Sequence, residues 1–145
     1  MKQASENQSS MQNSVLGEDL DNLAYSVIGA AVEVHRLLGA GYPEAIYAKA
    51  LGFELELRGI AFACEVPVQV TYKGRYAGEG RIDILVADAL VVELKTVETL
   101  LPIHTSQLLS YLKTTNLRLG LLINFNTTKL KDGGIKRFVY NPPNT

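Results

Sequence analysis

Apolar positions change their spacing along this chain, and each change marks an element. Leu23, Val27, Ala30, Val34 and Leu38 recur at three- and four-residue steps, the stripe of an amphipathic helix. Asp19 or Asp21 can cap its start, and Gly39-Ala40-Gly41 ends it. A second helix is expected with Pro43 in its first turn and Ile46, Ala50, Phe53 and Leu57 facing inward, closed by Arg58-Gly59. From Ala61 to Tyr72 the period drops to two, with Val66, Val68 and Val70 on one face, and Lys73-Gly74 marks a turn. Two segments rich in β-branched residues follow, 81–86 and 90–95. Pro102 opens a third helix reaching about Asn116, 119–125 is an apolar strand, and 135–140 is a short last one. The predicted order is ααβββαββ.

The strands at 81–86 and 90–95 contain charge where only apolar side chains are expected. Asp83, Glu93 and Lys95 interrupt runs of Ile, Leu and Val, and unpaired charges in such a setting cost several kcal/mol. Glu93 and Lys95 are two apart on one strand and share a face. Asp83 joins them only in a register of the right parity, because a one-residue slip reverses every side chain. A loop of Asp88, Ala89 and Leu90 would place Asp83 across from Lys95 and Leu85 across from Glu93, leaving Ile84, Val86, Val92 and Leu94 to the core. Two carboxylates on adjacent strands suit a hard divalent cation such as Mg²⁺, with Mn²⁺ as a substitute. Lys95 would then act on the attacking water or on the charge developing at a phosphate. The bland alternative is a buried salt bridge between Lys95 and the two acids.

Composition narrows the class further. With 145 residues, 47% apolar and 20% charged, the chain can form one core of ordinary size. The first eighteen residues, rich in Ser, Gln and Asn, lack periodicity and read as a disordered tail; 19–140 reads as a single domain and 141–145 as a C-terminal tail. A net charge of −1 exerts no global pull on nucleic acid, yet seven bases against two acids from Lys95 onward leave the C-terminal third at +5. The lone Cys64 excludes an internal disulfide and is expected to be a small core residue. No secretory h-region and no membrane-spanning apolar run is visible, so a soluble cytoplasmic protein without a membrane partner is expected.

The Asp83, Glu93-Leu94-Lys95 arrangement resembles the PD-(D/E)XK nuclease superfamily, with Ile82 standing where its name has proline. Within it the chain is most similar to the bacterial GxxExxY proteins, whose motif reads here Gly41-Tyr42-Pro43-Glu44-Ala45-Ile46-Tyr47. Val34-His35-Arg36-Leu37-Leu38-Gly39, Leu101-Pro102-Ile103-His104, the run from Gln107 to Leu112, and Gly120 to Asn126 agree as well, so the likeness covers about Asn22 to Val139. It implies a restriction-endonuclease-like α/β core, a mixed central sheet flanked by helices. It also implies hydrolysis of DNA or RNA phosphodiesters, with DNA ahead of RNA, by metal held at Asp83, Glu93 and the Leu94 carbonyl. A homodimer is compatible with it. Gln107 and Tyr111 lie four apart on one helical stripe with His104; a similar Gln-x-x-x-Tyr pair lines the active site in one branch of the superfamily. Glu44 is a candidate further acid, although an acid in a helix's first turn also simply favours the macrodipole. His35 and His104 rank as accessory candidates, and Tyr47 as a packing residue whose hydroxyl meets a polar partner. The competing reading is a catalytically inactive module of the same fold that binds nucleic acid or a protein partner.

Overall fold

The computed structural model describes residues 17–143; most of the expected N-terminal tail, residues 1–16, lies outside them. Eight elements follow in the expected order: α1 (Glu18–Leu38), α2 (Glu44–Leu57), β1 (Phe62–Tyr72), β2 (Arg75–Val86), β3 (Leu90–Lys95), α3 (Pro102–Thr115), β4 (Leu119–Asn124) and β5 (Ile135–Val139). The strands form one mixed sheet in the order β1-β2-β3-β4-β5. Only β3 and β4 run parallel, joined through the α3 crossover, and the remaining neighbours are antiparallel.

The alternation along β3 explains the layering. Leu90, Val92 and Leu94 join Leu119, Leu121 and Ile123 of β4 in a core beneath α1 and α2. Val91 and Leu122 face the other way, under Leu108 and Leu112 of α3. Both central strands are thus covered on both faces and read as continuous apolar runs. α3 lies unusually close to the sheet. A Cβ on Gly120 would stand 2.8 Å from Leu108 Cδ1, and one on Gly80 would stand 2.6 Å from the Tyr111 ring. Glycine at these two positions is a packing requirement.

Several local expectations are overturned. α1 begins one residue before the expected domain start, after Gly17, and no side chain caps it; Asp19 and Asp21 lie with Glu18 in the first turn, where they face the positive end of the helix dipole. On α2 the buried stripe is Tyr47, Leu51 and Leu55, while Phe53 is 55% and Leu57 82% exposed. Both stripes are apolar, so periodicity could not choose between them. Tyr47 decides: its ring stacks on Phe125 at 4.5 Å and its hydroxyl donates to the Gly39 carbonyl at 2.5 Å. Pro43 precedes the first helical residue rather than occupying the first turn. Cys64 is exposed, because β1 is an edge strand. β2 is twice the expected length, extended towards the Lys73-Gly74 turn.

Tyr47 also accepts a hydrogen bond from the Tyr42 amide at 3.2 Å, so one buried hydroxyl satisfies both sides of the α1–α2 connection. Tyr47→Phe is expected to lower stability by about 1 kcal/mol, the net worth of the hydrogen bonds lost at this part-buried connection. Denaturant unfolding at constant m-value would measure it; a change below a few tenths of a kcal/mol would show that water replaces the hydroxyl.

Candidate active site

β2 and β3 pair for only three residues. Ile84, Leu85 and Val86 stand opposite Val92, Val91 and Leu90, which corrects the expected register by two. The turn is Ala87-Asp88-Ala89, made possible by left-handed backbone at Ala87 and Asp88 (φ 51° and 54°) and closed by a bond from the Ala89 amide to the Val86 carbonyl. Parity is preserved, so the core assignments stand, but Asp83 is drawn level with Glu93 instead of Lys95.

At that level the ladder stops, and side chains take over from backbone. The Leu94 amide donates to Asp83 Oδ2 at 2.8 Å, and the Asp83 amide donates to Glu93 Oε1 at 3.4 Å. Each carboxylate is therefore held by the opposite strand. β2 also turns here. Ile82 packs under α3 while Ile84, two residues on, packs under α1 and α2, which a regular strand does not allow. On the facing β1, Glu65 adopts left-handed backbone at φ 53°.

Two carboxyl groups anchored to the same gap disfavour each other's charged form. Glu93 is 2% exposed. Burial first, then the charge of Asp83, push its carboxyl from an ordinary 4.5 to about 9, with Lys95 opposing weakly. The Glu44 carboxyl is likewise raised, mainly by burial and then by Asp83, and is lowered by Lys95. Glu44, at the first turn of α2, thus stands within the field of both. It lines, with Asp83 and Leu94, a cavity of about 670 Å³ walled by Ala48, Gly52 and Phe62.

Lys95 makes no ion pair with Asp83 or Glu93 among the described residues. Its Nζ donates to Gln107 Oε1 on α3 at 3.1 Å, so the arrangement is not the simple buried salt bridge. The other accessory candidates are placed differently. Tyr111 lies over Gly80, its hydroxyl accepting from the Arg81 amide at 3.3 Å. His104 Nδ1 accepts from the Leu101 amide at 3.0 Å and caps α3. His35 is buried, its Nε2 donating to the Thr127 carbonyl at 2.8 Å, beside a separate cavity bounded by Gly39 and Leu130. The structure therefore gathers Asp83, Glu93, Lys95, Gln107 and Glu44, and leaves both histidines at helix ends.

One positioning residue escaped the sequence reading. Asn124, 3% exposed at the end of β4, accepts from the Val97 amide at 3.1 Å and donates to the Val97 carbonyl at 2.8 Å. It also accepts from the Asn126 amide. It clamps the chain just after Lys95. A polar residue ending an otherwise apolar strand was the available signal.

Among the described residues no group of three or more His, Cys, Asp or Glu side chains is gathered closely enough to hold a metal ion. A cation at the parting would take at most two carboxylates from the chain, the donor set of a hard divalent ion that completes its shell with water and phosphate oxygens. The raised proton affinity of Glu93 is compatible with such a site, since a cation would take the place of the proton that keeps this carboxyl neutral.

A mixed α/β sheet that parts around two carboxylates with an amine alongside suits metal-assisted chemistry on phosphates. A model of the PD-(D/E)XK nuclease superfamily matches residues 21–138, and the chain belongs to that superfamily, with its restriction-endonuclease-like fold. No curated protein and no solved structure matches it. Among the described residues no helix is long and apolar enough to cross a membrane.

The Glu93 shift predicts how metal-free stability varies with pH. Unfolded, the carboxyl loses its proton near 4.5; folded, it keeps it to about 9. Between these values the folded chain binds the extra proton, so stability falls as pH rises, by at most about 1.4 kcal/mol per pH unit, and the loss is complete above the upper value. Thermal unfolding in EDTA from pH 5 to 9.5 should show this decline in the wild type and a flatter profile in Glu93→Gln. Identical profiles would show that Glu93 does not hold the extra proton.

Proposed function

We propose that this chain is a member of the GxxExxY proteins that hydrolyses nucleic-acid phosphodiesters, DNA ahead of RNA, with Mg²⁺ or substituting Mn²⁺ held by Asp83, Glu93 and the Leu94 carbonyl. The observation that carries this is the reciprocal hold of Asp83 and Glu93 at the point where β2 and β3 part. The Leu94 amide faces β2 to bind Asp83, and the N–H and C=O of one strand residue lie on the same edge, so the Leu94 carbonyl also faces the gap. On this reading the three oxygens are the donors at the point where the β2–β3 ladder has stopped.

The roles follow from placement. When bound, a divalent cation supplies the positive charge that polarises the phosphate and the attacking water. Glu93 would give up its proton as the cation binds, so binding is expected to strengthen as pH rises. Lys95 carries a proton donor to the same gap, where it assists the attacking water and offsets charge on the phosphate. Gln107 holds the Lys95 ammonium through its carbonyl oxygen and orients it. Glu44, its proton affinity raised, is a proton carrier at the edge of the cavity, set there by Pro43 and by the Tyr47 anchor. The Gly-x-x-Glu-x-x-Tyr spacing accordingly pairs an acid in the site with the aromatic that fixes its helix.

Calorimetric titration of Mn²⁺ into the wild type and Asp83→Ala tests the reading without knowledge of the substrate. Saturable binding with proton release is expected in the wild type and its loss in the variant. Asp83→Asn and Lys95→Ala should each reduce cleavage at least about 100-fold, while Asp83→Asn leaves the fold as stable or more so, because a like charge is removed. Full cleavage by both variants would eliminate the site.

A further inference from the structure

Beyond Val68 and Gly80 the β1–β2 ribbon runs out past the rest of the molecule: from Gln69 to Glu79 every residue is exposed except half-buried Gly78. β3 pairs with β2 only at Ile84–Val86, and the α3 cover reaches no farther than Gly80 beneath Tyr111. The ribbon ends in the two-residue turn Lys73-Gly74, both left-handed (φ 50° and 78°), the geometry of a tight, twisted hairpin. A two-stranded ribbon has little stability of its own. This one nevertheless exposes Tyr72 to 67% and Tyr76 to 65%, with Lys73 and Arg75 between them. Lys73 Nζ lies 5.5 Å from the Tyr72 ring centroid.

The register sets the faces of the two tyrosines. Up to Val70↔Gly78 the pairing is regular, and continued unchanged it would place Tyr72 directly across from Tyr76 on one face. A bulge between Val70 and Thr71 instead gives Thr71↔Tyr76 and Tyr72↔Arg75. Consecutive pairs point to opposite faces, so the bulge sends Tyr72 with Arg75 to one face and Tyr76 to the other. A platform for unpaired bases needs its aromatics on one face. Aromatics on both faces, with cations at the tip, suit a ribbon seated between two walls. The major groove of B-form DNA, about 12 Å wide, admits a two-stranded ribbon, whereas the major groove of A-form RNA is too narrow.

We propose that the ribbon tip around Tyr72, Lys73, Arg75 and Tyr76 docks in the major groove of double-stranded DNA, the tyrosines against its two walls and the cations on its phosphates. This rests on the nucleic-acid reading of the Asp83–Lys95 site and adds the substrate's form. Eight residues separate Arg75 from Asp83 along β2, about 26 Å at ~3.3 Å per residue. That span matches roughly eight base pairs of duplex at ~3.4 Å each. The ribbon therefore anchors duplex well away from the bond to be cut.

Fluorescence anisotropy tests this with the full chain and labelled probes of about 24 base pairs, roughly three times that span: duplex DNA, duplex RNA of the same sequence, and single-stranded DNA, with Ca²⁺ replacing Mg²⁺ so that binding is read without cleavage. Duplex DNA should bind tightest. Lys73→Gln with Arg75→Gln should weaken it roughly tenfold and lower the slope of log affinity against log salt by about two. Tyr72→Ser with Tyr76→Ser should weaken it with the slope unchanged. Both variants alter only exposed side chains, and their Mn²⁺ binding should match the wild type. Duplex DNA binding equal in wild type and variants overturns the ribbon proposal alone, as does equal or tighter binding of either other probe. Failure of the wild type to bind any probe removes the nucleic-acid reading itself and the ribbon proposal with it.

Discussion

The parting of β2 and β3 is the constraint on which the rest depends. Antiparallel strands gain by continuing their ladder, and these stop after Leu90, Val91 and Val92. Beyond that point the Leu94 amide is met by the Asp83 carboxylate and the Asp83 amide by the Glu93 carboxylate. Acidic side chains thereby replace backbone carbonyls as acceptors, and both amides remain satisfied. The cost moves to electrostatics: Glu93 is buried beside half-buried Asp83 and keeps its proton to about 9. A cation held there, as proposed, would remove that cost and tie the stability of this corner to its chemistry.

The surrounding elements hold the parting in place. β3 is secured on its other side by six parallel pairs with β4, and Asn124 locks the exit from Lys95. α3 presses on the sheet through Gly120 and Gly80, which brings Gln107 within reach of Lys95. α2 approaches from the opposite layer, and the Tyr47 anchor fixes the angle at which its first turn delivers Glu44. The two helical layers thus each contribute one polar group to a gap that the sheet creates.

Much of this was legible in the sequence, for physical reasons. β3 is bounded by residues that read correctly at both ends, because a buried strand's continuous apolar run has sharp edges. Parity between Asp83 and Glu93 could be inferred from the faces that Ile84, Val86, Val92 and Leu94 must bury. The absolute register could not, since Ala87-Asp88-Ala89 turns without glycine and carries no turn signature. α2 was read with the wrong face inward because it is apolar nearly all round; a hydrogen bond from Tyr47 to a distant carbonyl chose the face. Cys64 was misplaced because nothing in its segment distinguishes an edge strand from a central one. The bulge that parts Tyr72 from Tyr76 is equally silent, being a single extra residue in a plausible alternation.

The central claim is that Asp83 and Glu93 are a pair shaped for a divalent cation. Crystals soaked in Mn²⁺, with anomalous scattering recorded at its absorption edge, test it most directly. The account predicts an anomalous peak in the gap between β2 and β3, within coordination distance of one oxygen from each carboxylate and of the Leu94 carbonyl. No peak there under saturating Mn²⁺, with Asp83 still accepting from the Leu94 amide and Glu93 from the Asp83 amide, would contradict it.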